Sequence, residues 1–300
     1  TTEIYTLSLP TLFRSPYSQA FNAARISLLY LIEQLGSEGP KLPLRQSYVR
    51  ELANSLGFTR ASATLLSKVL FGRVVAAHNW ARCRSELMKA VGLKLPTDAP
   101  AFQSVGQQIA ILTPDGNKVH LDIDSIESLL APALLCISGR PAVLTPVRRE
   151  FSEPLLGHSA QFSLLPRGTA SVFKERHYIS GSSTFKRLGR GTVMLLYEST
   201  KDDGRGALVA IARVRNSYLK PADALSGLDL NASVLNRDTL RRIGKAKLKT
   251  VTAFDNVFCL PSPLPLSRLR RLGCGKPNDL ITTRPISDVQ LQSILREAFP

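Results

Sequence analysis

Gly191-Thr192-Val193-Met194-Leu195-Leu196-Tyr197-Glu198-Ser199-Thr200 is followed by Lys201-Asp202-Asp203-Gly204-Arg205-Gly206 and then by Ala207-Leu208-Val209-Ala210-Ile211-Ala212-Arg213-Val214. Two apolar runs flank a short polar segment that holds two glycines. Such runs, rich in β-branched and large apolar residues, pair as antiparallel strands. This spacing places Tyr197, Ser199 and Thr200 at the exit of the first strand. Arg205 stands at the entrance of the second.

Downstream, Lys249–Leu260 is a further strand candidate. Asp255-Asn256 interrupts it, and both residue types favour a bulge or a turn. Residues 220–248 are polar and read as helical in part. Ser287-Asp288-Val289-Gln290 has the capping-box pattern and opens a helix with Val289, Leu291, Ile294, Leu295 and Ala298 on its apolar side. Upstream, Gln161–Leu165 and Pro141–Val147 read as strands, and Ser125–Leu130 as a short helix capped by Ser125. Gln108–Thr113 and Lys118–Ile123 flank Pro114-Asp115-Gly116-Asn117, a β-hairpin signal.

Nearer the start the period is helical. Residues 17–35, Ser47–Leu56, Arg60–Phe71 and Trp80–Val91 repeat apolar side chains at three- and four-residue steps. Gly36, Gly57 and Gly92 follow three of them as stops. The segment 94–106, with Pro96, Pro100 and Gly106, reads as a linker. The chain is therefore expected to be α+β: a helical unit over 1–106, a β-hairpin and connecting segment over 107–150, and a strand-rich unit over 151–300. Within the first unit, Ala53, Gly57, Ala63 and Leu66 fit a helix-turn-helix, with Arg60, Thr64 and Lys68 on the outer face of its second helix. A plain helical hairpin fits the same spacing.

Charge bounds the partners. The chain carries 39 Lys/Arg against 23 Asp/Glu, a net of +16. Residues 1–147 hold 14 against 10, and residues 148–300 hold 25 against 13. A basic half of this kind favours contact with the phosphates of RNA or DNA. No basic amphipathic anchor stands out, so a membrane partner is not expected. The 44% apolar and 21% charged fractions are those of a globular chain rather than a disordered one. Cys83, Cys136, Cys259 and Cys274 form no Cys-x-x-Cys pair. Cys136 and Cys259 lie in apolar runs and read as buried thiols of a reducing compartment. Thr1–Pro10 lacks the order of a signal peptide, and the longest apolar run, Leu129–Ile137, is about half a membrane span. A soluble, cytoplasmic protein is expected. His78, His120, His158 and His177 show no metal spacing, and no Walker loop or nucleophile elbow is present, so no metal or cofactor is expected.

The residues Gly191-Thr192, Tyr197-Glu198-Ser199 and Ala212-Arg213-Val214 resemble the signature of the PUA-like superfamily, and most closely its EVE and ASCH branches. The resemblance covers roughly residues 160–300. It implies a small β-barrel that recognises RNA or DNA, in some members a flipped or modified base, including in toxin–antitoxin or defence settings. Some ASCH members are hydrolases or nucleases. Leu56-Gly57-Phe58 is similar to the ending of GNAT-type acetyltransferases, behind which PUA-like domains are found fused.

The binding residues expected from this reading combine cations with aromatic faces. They are Lys174, Arg176, Tyr178, Tyr197, Ser199, Lys201, Arg205, Thr252, Phe254 and Asn256, with Lys186, Arg187 and Arg190 as further cations. Thr252 and Asn256 are candidates for reading a base edge, since an amide offers both donor and acceptor. Arg237–Lys249 and Arg268, Arg270 and Arg271 form two more basic clusters. Two alternatives stand beside nucleic-acid binding. One is an ASCH-like hydrolase or nuclease using His177, Lys186 or Glu198 for acid–base chemistry. The other is a module with a protein partner, associated with an acetyltransferase.

Overall fold

A computed structural model of the chain describes residues 73–91, 93–113, 115–129, 133–156, 175–233, 235, 237–241, 247–274 and 280–299. The helices expected before residue 72, the helix-turn-helix spacing, the strand at Gln161–Leu165 and Lys174 lie outside the described residues. In chain order the elements are β1 (Arg73–Ala76), α1 (Trp80–Val91), β2 (Gln108–Leu112), β3 (Lys118–Asp122), α2 (Ile123–Leu129), β4 (Ala133–Cys136), β5 (Ala142–Val147), α3 (Arg149–Leu156) and β6 (Arg176–Gly181). They continue with β7 (Val193–Glu198), β8 (Ala207–Pro221), α4 (Gly227–Asn231), α5 (Arg237–Arg241), β9 (Leu248–Pro265), α6 (Leu266–Arg271), β10 (Arg284–Ile286) and α7 (Asp288–Ala298).

The apolar runs around the 199–206 turn pair antiparallel as β7 and β8. Every residue of β7 is buried, as an interior strand with both faces covered demands. The sheet order is β10-β5-β7-β8-β9-β6, antiparallel throughout except for β5 and β7. Two small ladders stand apart from it, β1 with β4 in parallel and the expected β2–β3 hairpin. The hairpin turn closes through Thr113 N to the Asn117 carbonyl at 2.9 Å.

The expected small β-barrel is a curled sheet that does not close among the described residues. Strand pairing among the described residues leaves β10 and β6 as edges. The sheet is nevertheless strongly curled. Tyr178 on β6 donates its hydroxyl to the Pro146 carbonyl on β5 at 2.9 Å, four strands away in the sheet order. In a flat sheet that span would be about 19 Å. Arg176 Nη1 also crosses, donating to the Leu155 carbonyl on α3 at 2.7 Å. The curl follows from the length of β8 and β9 and from the register shifts between them at Leu208/Ala210, Ile211/Arg213 and Val214/Asn216, since each bulge adds twist and bend.

The concave side is filled by Val143, Met194, Leu196, Val209, Phe254 and Leu188. The convex side packs Leu144, Leu195 and Ile211 against β1, β4 and α7. A further apolar cluster joins α1, β2 and α2 to β1 and β4. The division of the chain at positions 106 and 150 stays an expectation; the sheet itself crosses position 150, because β5 pairs with β7.

Two caps show how local sequence sets the helices. Ser287 opens α7 as expected: its hydroxyl accepts from Gln290 N, and the Gln290 side chain accepts from Ser287 N. The cap of α2 is corrected from Ser125 to Asp122, whose Oδ1 accepts from Ser125 N at 2.6 Å. Ser125 sits inside the first turn, so it is the last carboxylate of β3 that meets the free N–H groups.

A buried ionic network ties the α2 region to the sheet. Arg213 on β8 binds Asp255 on β9 bidentately, at 2.7 and 2.8 Å, and reaches Glu127 on α2 at 2.9 Å. Glu127 is completed by Arg140 Nη1 at 2.6 Å and by Leu135 N at 2.7 Å. A buried charge without partners is strongly destabilising, so these groups depend on one another.

Candidate nucleic-acid interface

The turn between β7 and β8 is built around Glu198. Its buried carboxylate accepts from Ser152 Oγ of α3 at 2.7 Å and from Arg205 N at 2.8 Å, and Arg205 Nε lies 3.9 Å away. Two glycines make the turn possible. A Cβ on Gly204 would collide with the Ser199 carbonyl oxygen, and Gly206 has φ +62°. Arg149 Nη1 holds the tip by donating to the Asp203 carbonyl at 2.9 Å. Ser199 continues the β5 ladder, with its N–H on the Val147 carbonyl at 3.0 Å. Lys201 and Arg205 are exposed on this turn. Leu266 N donates to the Gly206 carbonyl at 3.0 Å, which brings α6 and its exposed Arg270 and Arg271 to the same end of the sheet.

The second basic segment is the loop from Ser182 to Gly191, which is wound as a 3-10 helix over Ser182–Arg187 and precedes β7. Its start is fastened by Thr184 Oγ1 on the Gly181 carbonyl at 2.9 Å, its middle by the fully buried Leu188, and its end by Arg140 Nε on the Gly191 carbonyl at 2.8 Å. Phe185, Lys186 and Arg187 are exposed between these anchors, with Phe185 at 37%. Arg190 is 59% exposed while it pairs with Asp124 at 2.5 Å. Arg187 donates to the Thr283 carbonyl, which puts exposed Arg284 of β10 beside the loop. Neither residues 180–191 nor residues 280–287 contain a carboxylate in sequence. The aromatic Phe185 and the cation Arg284 escape sequence reasoning: the first sits in no strand pattern, and the second is almost a hundred residues from the loop it joins.

The remaining expected residues lie on β6 and β9. Arg176 is turned toward α3, as described above. Tyr178 is hydrogen-bonded to Pro146, and burial pushes its hydroxyl up to about 12. Phe254 and Tyr197 are buried, and burial likewise raises the Tyr197 pKa. The expectation that these rings face a base is therefore corrected: Tyr178 and Phe254 pack on the concave side of the sheet and Tyr197 on the convex side. Thr252 is buried and accepts from Ser217 Oγ at 3.0 Å. Asn256 forms the bulge, at φ 47°, and donates from Nδ2 to the Ala133 carbonyl at 2.7 Å. Its amide links β9 to β4 instead of pointing outward.

His177, Lys186 and Glu198 are not brought together. His177 lies on β6, 3.6 Å from Glu175 and 3.9 Å from Asp229. Lys186 is exposed on the loop. Glu198 is held by Ser152 and Arg205. Asp229 anchors a polar cluster of its own, accepting from Tyr218 at 2.8 Å, from Lys220 at 2.6 Å and from Ser226 Oγ at 2.7 Å. Among the described residues no group of three His, Cys, Asp or Glu is placed to hold a metal, and no helix is long and apolar enough to cross a membrane. All four cysteines are free thiols.

No protein-family model and no curated protein matches the chain. Solved structures align with it. The ASCH protein of Zymomonas mobilis does so at 9% identity and TM-score 0.39, over 52% of this chain and 94% of that one. A substituted form of the same protein aligns at 11% identity and TM-score 0.42, over 54% and 99%. Human THYN1, solved in complex with DNA containing 5-methylcytosine, aligns at 11% identity and TM-score 0.30, over 53% and 98%.

Proposed function

We propose that this chain is a nucleic-acid-binding protein with a PUA-like C-terminal region, and that the Ser182–Gly191 loop is its primary contact. One observation carries the reading. The loop presents an exposed phenylalanine among Lys186, Arg187 and Arg190, with Arg284 alongside, on a backbone fastened at three points. Aromatic faces take bases by stacking, and the cations beside them take phosphates. Neither contributing segment holds a carboxylate in sequence, and Asp124 pairs with Arg190. Lys201 and Arg205, at the other end of β7, add to the same positive surface.

Fluorescence anisotropy with labelled RNA, single-stranded DNA and duplex DNA tests this. Four phosphate contacts to a single strand predict a log–log salt slope of about −3. Phe185→Ala should weaken binding by about 1–3 kcal/mol and leave the slope unchanged, because stacking releases few ions. Lys186→Glu should flatten the slope. A wild-type protein that binds none of the three ligands at low salt, or binds with no salt dependence, would leave the reading without support.

A further inference from the structure

The positive surface does not stop at the loop. Arg190 precedes β7, and Lys201 and Arg205 follow it, so the two groups are separated by the length of that strand, about 17 Å. Between them runs the β10 edge. Arg284 stands opposite Leu144, which stands opposite Leu195 in the middle of β7, so Arg284 is placed midway along the sheet. Arg149 opens α3, separated by one residue from the end of β5, and is tied to the tip of the turn through Asp203. Exposed cations thus mark out a trail from the loop, past the β10 edge, to the turn and α6.

The two ends of the trail differ in chemistry. The loop offers an aromatic face. At the turn, the neighbouring ring of Tyr197 is buried beneath the surface, and what is exposed is Arg149, Lys201, Arg205, Arg270 and Arg271. The contributing segments 148–156, 198–206 and 266–271 together hold seven Lys/Arg against five Asp/Glu, so cations remain in excess. Among the described residues this end shows no exposed aromatic ring, so its cations are suited first to phosphates.

We infer that the turn and α6 form a second, backbone-only contact, and that the partner is a polynucleotide long enough to lie along the β10 edge, not a nucleoside or mononucleotide. This rests on the loop being the primary contact. At about 3.4 Å per nucleotide of a stacked strand, the 17 Å between the ends needs about five nucleotides. A trinucleotide reaches the loop alone.

The test uses the full chain and oligouridylates of about 3 and about 12 nucleotides, with binding read by anisotropy. Wild type should bind the longer probe more tightly and with the steeper salt slope. The double variant Lys201→Glu, Arg270→Glu should weaken the longer probe by at least about tenfold and leave the shorter one unchanged. The milder pair Lys201→Gln, Arg270→Gln, expected to act in the same direction, guards against misfolding from charge reversal. Equal affinity of wild type for both probes, or a double variant that keeps full affinity for the longer one, would overturn the second contact while the loop reading stands. Failure of both probes to bind wild type would remove the loop reading and this inference with it.

Discussion

Burial by itself would raise the pKa of Asp229, but hydrogen bonds from Lys220, Ser226 and Tyr218 outweigh it and hold the carboxyl well below the usual carboxylate range. The same arrangement raises the Tyr218 pKa, through burial first and then the Asp229 charge. A carboxyl depressed in the folded state contributes stability that is fully present above its unfolded pKa, about 3.9, and is lost as pH falls through the folded value. Asp229→Asn should therefore melt below wild type at pH 7, and the gap should close as pH drops beneath about 4. Thermal melts across that range check it; a gap that stays constant into strong acid would assign the loss to something other than the charge. None of this is legible at residue scale in the sequence. Asp229 lies in a polar stretch, and its partners Tyr218 and Lys220 belong to a strand whose register the local pattern leaves open. Tyr197 and Phe254 show the converse. Their β-prone neighbours announce strands, but which side of a strand faces a core depends on how the sheet bends.

At the scale of elements, the 199–206 turn is the most demanding local structure described. Its sequence already shows a glycine-bearing hairpin, yet the reason for Gly204 in particular is steric: a methyl group there would meet the Ser199 carbonyl oxygen. Gly204→Ala should cost about 1–3 kcal/mol, the range of overpacking in a filled site. Because the turn displays Lys201 and Arg205, the same substitution should also weaken long oligonucleotides more than short ones. Denaturant titration, together with the two-probe binding assay, measures both; unchanged stability would mean that the turn can relax around the added carbon. The capping box of α7 was plain from Ser287 and Gln290 because caps are made within four residues. The cap of α2 was misplaced by three residues because Asp122 serves as the end of a strand and the start of a helix at once.

For the molecule as a whole, the six-stranded sheet depends on segments far apart in the chain. β5 supplies an interior strand from before residue 150, and β1, β4 and α2 cover the convex side through the Arg213–Glu127–Arg140 network. A fragment of residues 151–300 would expose the β7 edge and leave the buried Arg213 without Glu127 and Asp124. It should fail to give a cooperative unfolding transition, whereas a fragment beginning at residue 73 should keep one. Calorimetry on the two fragments decides this; a sharp transition from 151–300 alone would show that the C-terminal half holds its core without β5.

The β2–β3 hairpin, the strands β5, β7, β8 and β9, the helix α7, the 199–206 turn and the basic bias of the second half were all determined by the sequence itself. Each depends on periodicity, turn chemistry or charge count within a short window. The tertiary structure alone decided which basic residues share a surface, which aromatic rings stay outside, and that the sheet curls without closing. The physical reason is that these properties arise from bulges and register shifts along β8 and β9, and from contacts such as Tyr178 with Pro146 and Arg187 with Thr283. Small changes of backbone angle at a few positions accumulate over the length of a long strand. They bring together residues that no local pattern connects.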